Sequence, residues 1–280
     1  MIVIVILIAA LLLVLLVLAS IKPGRRRDEL LKPFEEVLIA HRGLFDNDSD
    51  APENSMAAFR RAVDAGYGIE LDVQMSSDGR LFVFHDDDME RMTGKKICVT
   101  KQTYEELCRY PLGKSRERVP LFQDVLELVD GKVPMVIEIK VGFDYKATTM
   151  AVAKMLESYH GIYCMECFNP LALGWYRRNV PGIARGQLSM DYKLHPAKLP
   201  GILRFLLTHL MLNFISRPDF VSYHHSDSYK LGFRIFRNLF HGKTAAWTIR
   251  SQEELEKNRK LFSIFIFDRF IPHSEQAYPR

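Results

Sequence analysis

The alternation of short apolar segments with amphipathic stretches is the feature that most restricts how this chain can fold. Repeated strand-then-helix order favours parallel strands in a closed or doubly wound α/β sheet. The predicted strands are Val37–His41, Ile69–Val73, Leu81–His85, Met135–Ile139, Ile162–Phe168, Ile183–Leu188, Phe220–Tyr223, Ala245–Ile249 and Ser263–Phe267. The predicted helices among them are Ser55–Ala65, Leu121–Val129, Tyr145–Ser158, Leu171–Asn179 and Gln252–Leu261.

Nine strands are one more than an eight-stranded barrel needs. The segment between the second and third predicted strands contains Asp78-Gly79, which is a hairpin turn signal. We therefore expect these two strands to pair antiparallel, which leaves eight parallel strands and one return strand. If the turn centres near Ser77 and Asp78, His85 lies across from Glu70.

The first 19 residues, Met1 to Ala19, carry no polar side chain. A helix of about 20 apolar residues, at about 1.5 Å per residue, crosses a hydrocarbon core roughly 30 Å thick. A cleaved signal peptide is the alternative; it is the weaker one because no Lys or Arg precedes the run, which exceeds the roughly 7–15 residues of a signal core. We predict a transmembrane anchor at residues 1–22, a basic juxtamembrane linker at 23–36 and one large domain at 37–280.

Cations follow the apolar run at once, and cytoplasmic flanks of membrane helices carry the excess of Lys and Arg. We therefore predict a single-pass protein of the cell membrane with its large domain in the cytoplasm. Four cysteines are too few for a disulfide scaffold in a domain of this size, which agrees with that compartment. The net charge of +4 is weak and does not indicate a nucleic-acid partner. The cations are Lys22, Arg25, Arg26, Arg27 and Lys32.

Charged side chains stand at the ends of several apolar strands. His41 and Arg42 end the first strand, and Gly43 lets the backbone turn away there. Barrel enzymes build their sites at the carboxyl ends of their strands. Glu70 and Asp72 are two residues apart on a strand, so both carboxylates face the same way. Oxygen ligands of this kind suit a hard cation such as Mg²⁺ or Ca²⁺.

A further carboxylate, Glu138, lies in an otherwise apolar strand, where it is costly to bury without a partner. Lys140 points to the same face and could pair with it. Each group has an ordinary structural explanation when it is taken singly: a hydrogen-bonded histidine at a strand end, an exposed edge strand, a structural ion pair. Three apolar strands that all end in acidic or imidazole groups favour a shared site.

The order and spacing of these motifs resemble the glycerophosphodiester phosphodiesterase family, which belongs to the superfamily of TIM-barrel phosphodiesterases similar to phospholipase C. The resemblance covers essentially Val37 to Asp268 and is most specific in its first part. The motifs are His41-Arg42-Gly43, Pro52-Glu53-Asn54-Ser55, Glu70-Leu71-Asp72-Val73, Asp78-Gly79, Phe84-His85-Asp86, Val119-Pro120-Leu121, Ile137-Glu138-Ile139-Lys140, Cys167-Phe168-Asn169-Pro170, Ala246-Trp247-Thr248 and Phe267-Asp268.

The resemblance implies a (β/α)8 TIM barrel with a small insertion after the second strand, at about residues 87–118. It implies a divalent ion, Mg²⁺ or Ca²⁺, and a set of site residues matched position by position. The implied metal ligands are Glu70, Asp72 and Glu138; the implied acid–base pair is His41 and His85; the implied substrate-binding residues are Arg42 at the phosphate and Lys140 and Trp247 in the pocket. Two positions depart from the family pattern: Arg250, where Asn is frequent, and Cys167, where Ser is frequent.

The implied activity is hydrolysis of glycerophosphodiesters to glycerol 3-phosphate and an alcohol. In the family the nucleophile is thought to be the neighbouring glycerol hydroxyl, and water then opens a cyclic phosphate. One alternative is an enzyme similar to lysophospholipase D, acting on lysophospholipids with the same barrel. The other is a non-catalytic barrel, which is disfavoured because every implied metal ligand and histidine is present. We expect the substrate and the membrane as partners.

Three features stay open. Cys164 and Cys167 form a Cys-x-x-Cys, which we interpret as small core residues because no second ligand pair accompanies it. The stretch Gly201 to Ile215 is apolar around most of its circumference and is either a barrel-packing helix or a helix resting on a membrane. His224 and His225 follow a strand and are either residues of the pocket rim or ordinary loop residues.

Overall fold

The computed structural model of the chain describes residues 1–140, 142, 144–195 and 198–273. Eight parallel strands in it close a barrel, because the first strand pairs with both the second and the last. The predicted TIM barrel is therefore confirmed. The strands are β1 (Leu38–His41), β2 (Gly68–Met75), β3 (Leu81–Val83), β4 (Met135–Ile139), β5 (Tyr163–Cys167), β6 (Arg185–Ser189), β7 (Phe220–His224), β8 (Lys243–Ile249) and β9 (Ile264–Phe267).

Helices follow most of the strands, and several begin at a side-chain cap that the sequence contains. The side chains of Ser55, Asp144, Asn169 and Ser251 each accept a hydrogen bond from the first turn of the helix they precede. The helices are α1 (Ile2–Ile21), α2 (Asp28–Glu35), α3 (Met56–Asp64), α4 (Glu90–Thr93), α5 (Tyr104–Leu107), α6 (Phe122–Val129), α7 (Tyr145–Leu156), α8 (Pro170–Asn179), α9 (Gly201–Thr208), α10 (Asn213–Ser216), α11 (Leu231–Arg234) and α12 (Gln252–Asn258).

The return strand β3 pairs antiparallel with the carboxyl end of β2, as predicted. The register differs from the prediction by one residue, because Val73 lies opposite Val83. The physical reason lies in the turn between the two strands. Gly79 adopts a positive φ of 80° there, and the backbone N–H and the hydroxyl of Ser76 both donate to the Arg80 carbonyl. β3 ends at Val83, so His85 lies beyond the strand rather than across from Glu70.

The insertion after β3 has a small core of its own. It contains α4, a 3₁₀ turn at Val99–Lys101 and α5, which is capped by a Thr103–Glu106 capping box. Its buried apolar side chains pack on the outer part of β3. They are Met89, Met92, Val99, Leu107 and Leu112, and they cluster with Phe82 of β3 and with the flanking Phe84 and Val119.

The segment at 23–36, expected as a linker, contains the helix α2. Leu31 and Phe34 of this helix are buried against Val37 and against strand residues such as Ile39. Burial of these side chains stabilises the position of α2, so the segment is part of the folded domain. Arg27 just before α2 forms a paired contact with the Asp219 carboxylate, with Nε to Oδ1 at 2.8 Å.

The apolar helix α1 is long and apolar enough to cross a membrane, a property that signal sequences share. Its last residue, Ile21, is nevertheless buried in the main core of the barrel. Asn213 donates to the Ile21 carbonyl at 3.2 Å, and Arg217 donates to the carbonyls of Ala19 and Lys22 at 3.0 Å. The carboxyl end of α1 is therefore attached directly to the helical layer that follows β6.

The apolar stretch expected as one helix from Gly201 to Ile215 forms two short helices instead. Leu210 has a positive φ of 58°, a conformation that ends a helix, and it separates α9 from α10. α9 buries Leu207 and Thr208 but leaves Ile202 and Phe205 exposed. The stretch therefore packs on the barrel with one side and exposes apolar side chains on the other.

Candidate active site

The end of β1 brings an imidazole and a guanidinium to the carboxyl rim of the barrel. His41 lies directly beside Glu70 in the β1–β2 register. Arg42 then takes a left-handed conformation with φ of 57°, and its backbone N–H donates to Glu70 Oε2 at 3.1 Å. Gly43 follows with φ of 82°, and a Cβ there would approach the backbone of Ala58 to within 2.8 Å. Only glycine fits this turn, which confirms the reason expected for it.

The three predicted metal ligands lie together on neighbouring strands. Asp72 on β2 is directly beside Glu138 on β4, and Glu70 precedes Asp72 by one period of the strand. One carboxylate oxygen from each of Glu70, Asp72 and Glu138 lies within 4.8 Å of the others, and all three residues are buried. The structure thus brings together the set that the sequence predicted.

Burial and mutual repulsion shift the proton affinities of these carboxylates in different directions. Burial, with the charge of Asp72 next, raises the pKa of Glu70 well above its usual value. Burial also acts to raise the pKa of Asp72, but the Lys140, His85 and Arg42 charges hold that pKa well below its usual value. Burial also raises the pKa of Glu138, so burial disfavours the charged form of two of the three carboxylates.

Lys140 lies between two of the carboxylates. Its Nζ is 2.8 Å from Glu138 Oε1 and 3.1 Å from Asp72 Oδ1. The predicted pairing of Lys140 with Glu138 is therefore present. This cation offsets part of the carboxylate charge at the rim of the barrel.

A fourth buried carboxylate, Glu166, lies beside Glu138 in the β4–β5 register. Burial and then the charge of Glu138 raise the pKa of Glu166 to about 8. Sequence reasoning missed this residue, although it carries the same signal as Glu138, a single carboxylate in an apolar strand. From the sequence, we interpreted only the Cys-x-x-Cys around it. Cys164 and Cys167 are both buried, as expected for small core residues. All four cysteines are described, and none of them forms a disulfide.

His41 is held by an aspartate from the last strand. Its Nδ1 is 2.9 Å from Asp268 Oδ2, and its Nε2 is 3.9 Å from Glu70 Oε2. Burial is the main cause that lowers the pKa of His41 to about 4, with the nearby Arg42 charge adding to it. The imidazole is therefore neutral near pH 7, with Nδ1 fixed and Nε2 directed toward the carboxylates.

His85 has a similar partner next to it in the chain. Its Nδ1 is 2.6 Å from Asp86 Oδ1. Arg91 from the insertion donates to the same carboxylate, with Nε 2.7 Å from Asp86 Oδ2. Gln74 on β2 donates to the carbonyls of Phe84 and Asp86 at 2.8 and 2.9 Å, which ties the backbone on both sides of His85 to the barrel.

Arg42 is positioned by acidic and amide groups of the loop before α3. Its Nη1 donates to Glu53 Oε1 at 2.6 Å, and its Nε is 3.4 Å from Asp72 Oδ2. Arg91 also donates to both oxygens of Glu53, at 2.8 and 2.7 Å. Asn54, with a positive φ of 55°, donates from Nδ2 to Asp72 Oδ2 at 2.8 Å. The sequence motif contained Glu53 and Asn54, but their roles become visible only in these contacts.

Trp247 lies near the end of β8, two strands from β1 in the closed order. Its indole packs edge-on against Phe168 at 5.7 Å and against the His224 ring at 5.2 Å, measured between ring centroids. Trp247 thus belongs to a different part of the rim from the carboxylates. His224 also belongs to this part. Its position agrees with the interpretation of the histidines after β7 as residues of the pocket rim.

A family model described as the glycerophosphoryl diester phosphodiesterase family matches residues 41–259. The fold and this match define a TIM-barrel hydrolase of phosphoric diesters. The chain belongs to the glycerophosphoryl diester phosphodiesterase family, as the motifs indicated.

Curated relatives carry the same description. The glycerophosphodiester phosphodiesterase of Bacillus altitudinis is 34% identical over 166 residues, which cover 55% of this chain and 66% of that protein. The glycerophosphodiester phosphodiesterase of Caldanaerobacter subterraneus is 38% identical over 166 residues, which cover 55% of this chain and 67% of that protein. The matched segment therefore spans about two thirds of these relatives.

Solved structures share the fold. A phosphodiesterase of Oleispira antarctica, in complex with the product sn-glycerol-3-phosphate, superposes with a TM-score of 0.66 at 23% identity, covering 87% of this chain and 93% of that one. The glycerophosphodiester phosphodiesterase of Thermotoga maritima superposes with a TM-score of 0.61 at 24% identity, covering 82% and 94%.

Proposed function

We propose that this chain hydrolyses glycerophosphodiesters to glycerol 3-phosphate and an alcohol, with a divalent ion at the carboxylate cluster. The observation that carries the proposal is the buried set of three carboxylates whose oxygens lie within 4.8 Å of one another. Family membership supports the reaction type, and the sn-glycerol-3-phosphate bound by the Oleispira antarctica relative supports the product.

The carboxylate set fits a hard cation. Asp72 Oδ1 is buried and makes no hydrogen bond of good geometry among the described residues, although Lys140 Nζ lies 3.1 Å away, and oxygen donors are what Mg²⁺ and Ca²⁺ take. Glu70, Asp72 and Glu138 would hold the ion. When bound, such an ion neutralises the phosphodiester charge and makes a nearby hydroxyl more acidic.

The two histidines divide the proton transfers. Burial keeps His41 neutral, as its pKa of about 4 indicates, so its Nε2 is available to accept the proton of the attacking hydroxyl. His85 Nδ1 lies 2.6 Å from the Asp86 carboxylate, which holds the ring so that its other nitrogen can serve the leaving alkoxide. We therefore assign the acceptor role to His41 and the donor role to His85.

Arg42 is placed to bind the phosphate. Glu53 and Asp72 hold its guanidinium, and the Glu70 contact holds its backbone, so little side-chain freedom is lost when a phosphate oxygen binds. A guanidinium offers a fork of donors suited to phosphate oxygens. Lys140 adds a second cation beside the carboxylates, and Trp247 would contact a more distant part of the substrate.

Lysophospholipids are the second candidate substrate class. The observation in their favour is the exposed apolar surface of α9 and α10, which lies beside the attached end of α1. Lipid substrates in a bilayer would reach such a surface first. A non-catalytic role is disfavoured because the carboxylates, both histidines and their aspartate partners are all present.

The test is an assay of the purified full chain in detergent against glycerophosphodiesters and lysophospholipids, with Mg²⁺ or Ca²⁺ after removal of metal by a chelator. We expect turnover of glycerophosphodiesters that requires the ion. Glu70→Gln should lower metal affinity and turnover together, whereas the exposed Glu127→Gln should change neither. Turnover that survives the chelator, or a Glu70→Gln variant with normal metal affinity, would refute the assigned metal ligands.

We also propose that α1 is retained as a membrane anchor with the barrel in the cytoplasm. Removal of a signal peptide near residue 20 would take away the helix that leads into the buried Ile21 and the carbonyl of Ala19 that Arg217 binds. Arg25 and Arg26 remain exposed beside the anchor and support the cytoplasmic side. Protease added outside intact cells should leave the barrel uncut; digestion, or a mature protein starting near residue 20, would overturn this topology.

A further inference from the structure

The rim of the barrel carries a second cluster of potential metal ligands, away from the carboxylates. His224 ends β7, Asp227 lies in the 3₁₀ turn His225–Asp227, and His195 lies in the segment after β6. One ligand atom from each of the three lies within 4.8 Å of the others. In the closed order of strands, β7 is directly across the barrel from β2, so this cluster is opposite Glu70 and Asp72.

The separations in this cluster suit a shared ion better than an ion pair. His195 Nε2 is 3.4 Å and His224 Nδ1 is 3.5 Å from the same oxygen, Asp227 Oδ2. His224 Nδ1 is buried and has no hydrogen-bond partner in the described part of the chain. Ligand atoms at about 2.0–2.1 Å from a tetrahedral zinc ion lie roughly 3.3 Å from one another, which is close to both separations.

Neighbouring groups hold these side chains in place. Asp227 is buried and accepts a hydrogen bond from the Asp191 backbone N–H at 2.8 Å. The His224 ring packs edge-on against Trp247 and lies 4.6 Å from the His195 ring, between centroids. Such surroundings orient metal ligands before the ion binds and strengthen binding.

We propose that His195, His224 and Asp227 form a second metal site, which binds a zinc-class transition ion independently of the carboxylate cluster. Two imidazole nitrogens and one carboxylate oxygen suit Zn²⁺ or Co²⁺, whereas Mg²⁺ and Ca²⁺ take oxygen donors. Three protein ligands leave one position of a tetrahedral ion open. The side chain of His195 is 38% exposed, so the cluster is open to solvent at this residue.

The test uses the full chain in detergent, freed of metal by a chelator and titrated with Co²⁺. We expect a visible d–d absorption band that one equivalent of Zn²⁺ removes. Loss of an outer-shell partner typically costs about 10–100-fold in metal affinity, so loss of a ligand in His195→Ala or His224→Ala should cost at least about 100-fold. The exposed His160→Ala is the matched control and should keep the band.

Glu138→Gln separates the two sites, because it alters the carboxylate cluster and should leave the band unchanged. Circular dichroism checks folding, and His195→Ala is the variant least prone to misfold since its side chain is partly exposed. The proposal is wrong if wild-type protein gives no band with millimolar Co²⁺, if His195→Ala binds Co²⁺ as wild type does, or if Glu138→Gln alone abolishes the band.

Discussion

At the scale of single residues, each proposed acid–base histidine has one ring nitrogen bound to an aspartate. His41 Nδ1 contacts Asp268, and His85 Nδ1 contacts Asp86. Such a contact fixes which nitrogen faces the substrate and holds the ring in place. The two aspartates come from different sources, one from the far end of the chain and one from the adjacent position, yet they perform the same task.

We expect His41→Ala and His85→Ala each to lower kcat by about 10²–10⁴-fold, the usual contribution of a general acid or base. The double variant should be little worse than the worse single one, because both groups act on one step. A pH–rate profile should be bell-shaped in the wild type. Near-normal turnover in either single variant would remove that residue from the mechanism. A single variant that no longer binds the metal would show that the replaced histidine is a metal ligand.

The ion pairs of Glu53 predict a pH-dependent contribution to stability. Burial acts to raise the pKa of Glu53, but Arg91 and Arg42 lower it from 4.5 to about 2. The unfolded chain therefore takes up the proton first as the pH falls, so this stabilisation is complete above about pH 4.5 and is lost toward pH 2. Glu53→Gln should lower Tm clearly at pH 6 and much less at pH 3.

The comparison for that measurement is Glu127→Gln, an exposed carboxylate on α6. Its effect on Tm should be small at both pH values. A Glu53→Gln effect that is equally large at pH 3 would show that packing, rather than the charge pairing with Arg91 and Arg42, is responsible.

At the scale of elements, β2 organises the site because it is longer than its neighbours. Its first residues pair with β1, its middle residues pair with β4 as far as Val73, and its last residues, Val73 to Met75, pair with β3. One strand thus carries Glu70 and Asp72 and also holds the segment of His85 through Gln74. The hairpin turns the chain back so that an imidazole reaches the rim without using another barrel strand.

The helix α9 exposes apolar side chains beside the attached anchor. Ile202 is 68% and Phe205 is 50% exposed. In a fragment that lacks α1, replacing both by serine should weaken binding to lipid vesicles by at least about 10-fold, since each inserted side chain stabilises binding by roughly 1.5–3 kcal/mol. Turnover of a water-soluble glycerophosphodiester should stay unchanged.

Met150 and Leu171 provide the control, because they are exposed apolar side chains, at 48% and 44%, on the other helices α7 and α8. Replacing these two by serine should leave vesicle binding unchanged. Equal effects of both pairs would mean that α9 has no special part in lipid contact.

At the scale of the whole molecule, the apolar helix and the barrel form one attached unit. Ile21 lies in the barrel core, α2 packs against the strands, and Arg217 binds two carbonyls at the end of α1. These contacts restrict how the barrel can turn relative to α1. A bilayer around α1 would therefore meet a defined side of the barrel, the one that carries α9 and α10.

We expect a fragment of residues 25–280 to be less stable than one of residues 20–280. The shorter fragment lacks Ile21, whose burial stabilises by about 1.5–3 kcal/mol. At roughly 2–4 °C per kcal/mol for a domain of this size, Tm should fall by about 3–12 °C. Thermal unfolding of both fragments measures this, and Ile21→Ala in the longer one should reproduce most of the loss; equal Tm values would contradict it.

Features set by local periodicity and chemistry could be predicted from the sequence. Apolar runs predicted the strands, the two-residue period put Glu70 and Asp72 on one face, and the Asp78-Gly79 turn predicted the return strand. These features depend on dihedral preferences and side-chain direction within a few residues. The motifs then identified the family and the set of residues at the rim.

Only the tertiary structure decided which side chains meet across the barrel. His41 contacts Asp268, 227 residues away, because closure brings β9 against β1. The helix break at Leu210 and the burial of α2 also depend on packing. The physical reason is that such contacts are fixed by the closure and stagger of the whole sheet, which no local pattern of residues encodes.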